Sequence, residues 1–300
     1  MRSKHNYFVF GILLVVILGV ILISGCVQSP ETKQFAKNLP QINENLKISL
    51  KNIHTDFYNY DLDYGVNRLM NMLTITDSMI IGMEKEENGI REDISNAEET
   101  ISNFQTVKQS VNTNQLSDDE KNIISQIDAK VNEYVTNKEK LNSCLSKMKI
   151  YKDWIVLVKD NAKLVEVFGT KSNLMNEYIQ AEKYQDALNK INEIQNTINQ
   201  MKLNGQKREA SGVQVFSNQA MASYDAFSQS YNYYEDYINL LIKEDYDNAD
   251  LKYTEYSKKY SEAISMGSDE ESSISETINE ADSWYQSNVG VCFDLFNNYS

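Results

Sequence analysis

The 300-residue chain carries 43 Asp and Glu against 29 Lys and Arg, a formal net charge of −14, with 19 tyrosines, three cysteines and two prolines. So acidic a surface excludes the phosphate-neutralising contacts on which nucleic-acid binding depends. The length suffices for one large core or two smaller ones.

Arg2, Lys4 and His5 precede an uncharged run over residues 7–23, then Ser24, Gly25 and Cys26. A basic start, an apolar stretch and small residues at its exit describe a signal peptide over residues 1–25. The tetrapeptide Ile23-Ser24-Gly25-Cys26 resembles the lipobox of prokaryotic lipoproteins, bacterial or archaeal. That resemblance implies cleavage before Cys26, whose thiol then carries the lipid. A membrane span over residues 8–27 is the other reading of the same segment, since about 20 residues cross a bilayer. Both readings put residues 27–300 at the cell surface, on the outer face of the cytoplasmic membrane, because the positive flank stays inside. Without residues 1–25 the chain has 27 basic against 43 acidic residues, a net charge of −16. That charge repels anionic head groups, so the anchor holds the body to the membrane.

Residues 26–40, with the only prolines at Pro30 and Pro40, read as the lipidated cysteine and a short polar tether. From residue 41 onward apolar residues recur at three- and four-residue intervals, which predicts an all-α fold: an elongated array of long antiparallel helices, as hairpins or a coiled-coil-like bundle. A first helix carries Ile42, Leu46, Ile53 and Phe57, and a second Val66, Leu69, Leu73, Ile80 and Met83. The third repeats Ile90, Ile94, Ala97, Ile101, Phe104 and Val111. Ser117-Asp118-Asp119-Glu120 forms a capping box. The longest pattern follows, from Ile127 through Val131, Tyr134, Leu141, Leu145, Met148 and Ile155 to Ala162 and Val165, with a kink at Lys152-Asp153 as a variant. Residues 41–168 thus read as an N-terminal helical region, bounded at Gly169-Thr170-Lys171-Ser172. Residues 169–300 read as tyrosine-rich helical hairpins: a short helix to Gln180, one from Tyr184 to Leu203 stopped at Asn204-Gly205, and one over Val213 to Leu241. A helix from Asp247 to Met266 and a last one beginning at Ser268-Asp269-Glu270-Glu271 complete them.

Lys183-Tyr184-Gln185-Asp186-Ala187 and Asp245-Tyr246-Asp247-Asn248-Ala249 form an internal repeat, with Asp63-Tyr64-Gly65-Val66-Asn67 a weaker copy. These stretches are similar to the turn and second-helix start of tetratricopeptide repeats. The 62-residue spacing departs from that family's usual period, so the resemblance implies helical hairpins and nothing about ligands.

Removal of residues 1–25 leaves His54 as the only histidine, which is too few for a histidine-dependent triad or a common zinc site. Asp245, Asp247 and Asp250 fail the calcium-loop pattern, because Ala249 stands where a ligand is needed and Asp250 where glycine is. The acidic clusters at 118–120 and 269–271 suit first helical turns, where the helix dipole favours negative charge. No catalytic centre and no cofactor are implied.

Tyr246, Tyr253, Tyr256 and Tyr260 share one helical face, and Tyr224, Tyr231 and Tyr234 share another, widened by Tyr233 and Tyr237. Such stripes read first as polar-tipped core, and alternatively, over Tyr233, Tyr237, Tyr253, Tyr256 and Tyr260, as a ligand or partner face for an envelope protein, peptide or glycan. Cys144 and Cys292 remain, as a candidate disulfide pair outside the membrane or as two buried thiols. The chain as a whole reads as a non-enzymatic, membrane-anchored helical binding or scaffolding module. A coiled-coil spacer of the envelope and an envelope carbohydrate-acting enzyme are the alternatives.

Overall fold

The computed structural model describes residues 28–65, 75–213, 218–268 and 270–299. Val66, Leu69 and Leu73, the proposed lipidation site Cys26 and the whole of residues 1–25 lie outside them. Among the described residues there are seven α-helices, three short 3₁₀ turns and no strand.

Helix α1 spans Pro30–Tyr64 and so takes up most of the expected tether. Ser29 caps it by accepting from the Thr32 amide at 3.2 Å, and Pro30 occupies the first turn, where its missing N–H costs nothing. The segment is helical because Phe35, Ala36 and Leu39 extend the buried stripe of Leu46, Leu50, Ile53 and Phe57. Packing along this face outweighs the single ladder hydrogen bond lost at Pro40.

Helix α2, Asp77–Ser110, begins at the Thr76 cap and unites residues expected in two helices, since Ile80 and Met83 share it with Ile90 to Phe104. A Cβ at Gly82 would collide with the Tyr64 hydroxyl, so the Tyr64 ring sits over Gly82 in space that a larger residue would make it leave.

Helix α3 runs unbroken over Asp118–Gln180, 63 residues or about 95 Å at 1.5 Å per residue. Ser117 and Glu120 close the capping box reciprocally, at 3.3 and 2.7 Å. Neither Lys152-Asp153 nor Gly169 interrupts it, so the helix has no break at the expected boundary. A helical glycine costs only about 1 kcal/mol relative to alanine, and α3 is buried on both sides of Gly169, by Ile155 before it and Met175 after it.

Helices α4 (Tyr184–Ala210), α5 (Asn218–Ile242), α6 (Tyr246–Ser268) and α7 (Glu270–Asn288) follow. Helix α4 passes through the expected stop, because Met201, Asn204, Gly205 and Arg208 continue its buried face.

The two clear copies of the internal repeat fold alike. Lys183 N–H donates to Tyr178 O at 2.8 Å and Glu182 N–H to Ile179 O at 3.0 Å; Asp245 N–H donates to Leu240 O and Glu244 N–H to Leu241 O, both at 3.0 Å. Each pair is a Schellman closure, with Glu182 (φ 55°) and Glu244 (φ 59°) in the left-handed position that glycine usually fills.

Two apolar clusters result. The first joins α1, α2, α3 up to Val158, Val213 beyond α4 and the C-terminal residues from Ile278 to Tyr299. The second joins the end of α3 from Phe168, the first part of α4, and the facing sides of α5 and α6. Residues 169–300 are therefore not one unit, since their final stretch returns to the first cluster. Between the clusters α3 has little cover: Val165 is 49 % exposed and Ala162 is exposed too, contrary to their place in the expected stripe.

Candidate functional site

Tyrosines gather where α5 and α6 meet. Tyr234 stacks on Tyr256 with centroids 4.2 Å apart. From this pair a run of rings extends one way through Tyr237 and Tyr253, 5.3 Å apart, and the other way through Tyr260 to Phe227, 5.4 Å apart. Phe168 of α3 closes the inner end at 5.6 Å from Phe227. The helical period explains the assembly: Tyr253, Tyr256 and Tyr260 lie on one face of α6, and Tyr231, Tyr234 and Tyr237 lie on the facing side of α5.

The run grades from core to surface. Tyr231 is 1 % exposed and shares a hydrogen bond with the Ser172 hydroxyl at 2.9 Å, Tyr256 and Tyr260 are half-buried, and Tyr253 is 47 % exposed. Burial raises the phenol pKa of Tyr256 and Tyr260; burial, then Tyr184, Tyr253 and Asp250, raises that of Tyr237. These hydroxyls stay protonated at neutral pH and remain able to donate. Tyr233 stands outside the run, with Lys252 Nζ 5.2 Å from its ring centroid. Lys252 is held there by Glu255 at 2.8 Å and Asp236 at 3.7 Å. Four of the five candidate tyrosines thus come together, and Tyr233 does not join them.

The acid-rich tip of this hairpin has a structural explanation. Asp245 Oδ1 accepts from the Asn248 amide at 3.4 Å, which caps α6. Among the described residues no three His, Cys, Asp or Glu side chains converge as metal ligands. His54 Nδ1 lies 3.0 Å from the carbonyl oxygen of Leu295, so this histidine helps to hold the C-terminal segment.

Cys144 and Cys292 are joined as a disulfide, with Cα atoms 6.1 Å apart. Cys144 lies on α3, whereas Cys292 lies in the 3₁₀ turn Gly290–Cys292 beyond the last α-helix. The Tyr299 hydroxyl donates to Glu133 at 2.7 Å, and the Phe296 ring stacks on Tyr134 at 6.3 Å, so the final residues form a strap across α1 and α3.

Two clefts escape the sequence reading. One, of about 620 Å³, lies between α2 and α3 and is lined by Gln105, Gln109 and Asn132 around the Lys108–Asp128 ion pair. The other, of about 420 Å³, lies between α3 and α4 in the bare stretch. Both depend on which helices are neighbours, and periodicity within one helix does not report that.

Among the described residues no helix is long and apolar enough to cross a membrane. Comparison with known proteins finds no matching family model, no matching curated protein and no matching solved structure.

Proposed function

We propose that the chain is an exported lipoprotein, anchored through Cys26, whose helical body is a non-enzymatic binding module that presents its tyrosine face to a partner away from the membrane. The observation that carries this reading is the course of α3. Its start lies beside the first described residues, where Gln28 Nε2 donates to Gln115 O at 2.7 Å. Its other end enters the tyrosine-bearing cluster through Phe168 and Met175. On this reading the lipid at Cys26, two residues before Gln28 in the sequence, marks the near end of a helix about 95 Å long. The exposed Tyr253, beside Tyr237, supplies broad aromatic contact area with polar tips, a combination enriched where proteins bind partners.

The length of α3 also favours a second reading, in which the chain is an envelope spacer and the tyrosines serve the core alone. A photocrosslinking residue at position 253 in intact cells separates the two. The binding reading predicts capture of one defined species, lost when Tyr237→Ala is added. No capture at position 253, with a defined species taken instead from a probe at the exposed Tyr58 of α1, would favour the spacer.

A further inference from the structure

The cleft between α3 and α4 has the properties of an unfilled helix-packing seam. Its floor is Leu157, Leu164 and Val167 from α3 and Leu203 from α4. Val167 is 41 % exposed and Leu203 56 %, among the larger apolar side chains left open to solvent. Residues 157–167 span about 15 Å along α3, or three helical turns. Asn204 lines the same cleft at 7 % exposure, and its Oδ1 has no hydrogen-bond partner. A buried carbonyl of this kind normally has a donor, and leaving it without one is destabilising.

The rim has the opposite sign to the molecule. Lys163 and Lys207 flank the floor against one acid, Asp160, in a chain of net charge −14. Neither lysine is in an ion pair among the described residues. Lys159, beside Lys163, adds a further cation and is paired with Asp77.

We infer that this seam docks an amphipathic α-helix of a partner protein, about three turns long, with apolar residues at i, i+3 or i+4 and i+7 and with Asp or Glu on both flanks. A third helix laid between two antiparallel ones packs its ridges into their groove, as helix-in-groove recognition does elsewhere. The flanking acids meet Lys163 and Lys207, and a polar donor on the inner face meets Asn204. The lysines beside an apolar strip in an acidic chain favour this occupant over a wholly apolar one. The site is separate from the tyrosine face and stands without the anchoring reading.

The test uses the full chain in detergent and two fluorescent amphipathic peptides with the same leucine stripe, one flanked by Glu and one by Lys. Anisotropy titration should show the Glu peptide binding at least about tenfold tighter, the equivalent of about 1.4 kcal/mol. Leu203→Glu should abolish that binding, and the pair Lys163→Glu with Lys207→Glu should reverse the preference between peptides. Circular dichroism confirms that these exposed substitutions leave the fold intact. Absence of binding, equal binding of the two peptides, or binding that survives Leu203→Glu would overturn the inference. So would binding confined to vesicles containing anionic lipid, or a self-association of the chain that Leu203→Glu removes, since each assigns the seam to a different occupant.

Discussion

Replacing both bonded cysteines, as Cys144→Ala with Cys292→Ala, tests how the C-terminal strap holds the first cluster. The bond closes a loop across a sequence separation of 148. In the chain-entropy model a loop of that size removes about 17 cal/mol/K from the unfolded ensemble, or about 5 kcal/mol at 25 °C. The second cluster lies inside the loop, so if it stays folded while the first opens, the effective loop is shorter. Halving the free chain lowers the figure by only about 0.6 kcal/mol, which leaves an expected loss of about 4–5 kcal/mol by the same model. The folded strap should persist without the bond, because Tyr285, Val289, Leu295 and Phe296 remain buried. Both tryptophans, Trp154 and Trp284, belong to the first cluster, so urea unfolding followed by tryptophan fluorescence reports on it selectively. Hydrogen exchange of α5 and α6 should change far less. A loss below about 1 kcal/mol, well under the usual range for a native disulfide, or equal loss of protection in α5 and α6, would refute this account.

Three further changes have definite signs. Glu182→Gly and Glu244→Gly should each raise stability by about 0.5–1 kcal/mol, because both residues hold a left-handed φ that glycine adopts without strain; thermal melts showing destabilisation would contradict the turn assignment. Leu39→Ala, at a fully buried position of α1, should cost about 2–5 kcal/mol, whereas a residue in a solvated tether would tolerate it. Burial raises the Asp93 pKa, against the hydrogen bond from Asn52 and with repulsion from Glu92. A raised folded pKa means stability present at low pH and lost as pH climbs through that pKa. Asp93→Asn should therefore raise the melting temperature at neutral pH and lose that advantage below the ordinary carboxylate range; a gain independent of pH would count against it.

Helices, caps and hairpin turns are legible in the sequence because they are local. The Ser117–Glu120 box and the Lys183 and Asp245 turns depend on residues within six positions of one another. The helical course of the tether is not legible because Pro30 and Pro40 look like breaks, although one occupies a permissive first turn and the other is outweighed by Leu39 and Leu46. Gly169 and Gly205 look like stops for the same reason: burial on either side decides, and burial is a property of neighbours. The return of residues 278–299 to the first cluster leaves no trace in periodicity, since the stripe of Ala281 and Tyr285 fits any apolar partner. In the candidate site, the face of Tyr253, Tyr256 and Tyr260 follows from helical period. Its pairing with α5 and the separation of Tyr233 require the fold.

Presentation of the tyrosine face away from the anchor requires α3 to be one rigid helix that carries the tyrosine cluster past Gly169. Spin labels at Lys140→Cys and Glu177→Cys, both exposed on α3, bracket that glycine. With Cys26→Ser, the only cysteines besides the two label sites are the bonded Cys144 and Cys292, and double electron–electron resonance reads the distance between the labels directly. An unbroken helix predicts a narrow distribution near about 55 Å, from roughly 37 steps at 1.5 Å. A broad distribution, or a peak well short of that length, would mean a hinge between the clusters and would contradict the presentation of the tyrosine face on a rigid stalk.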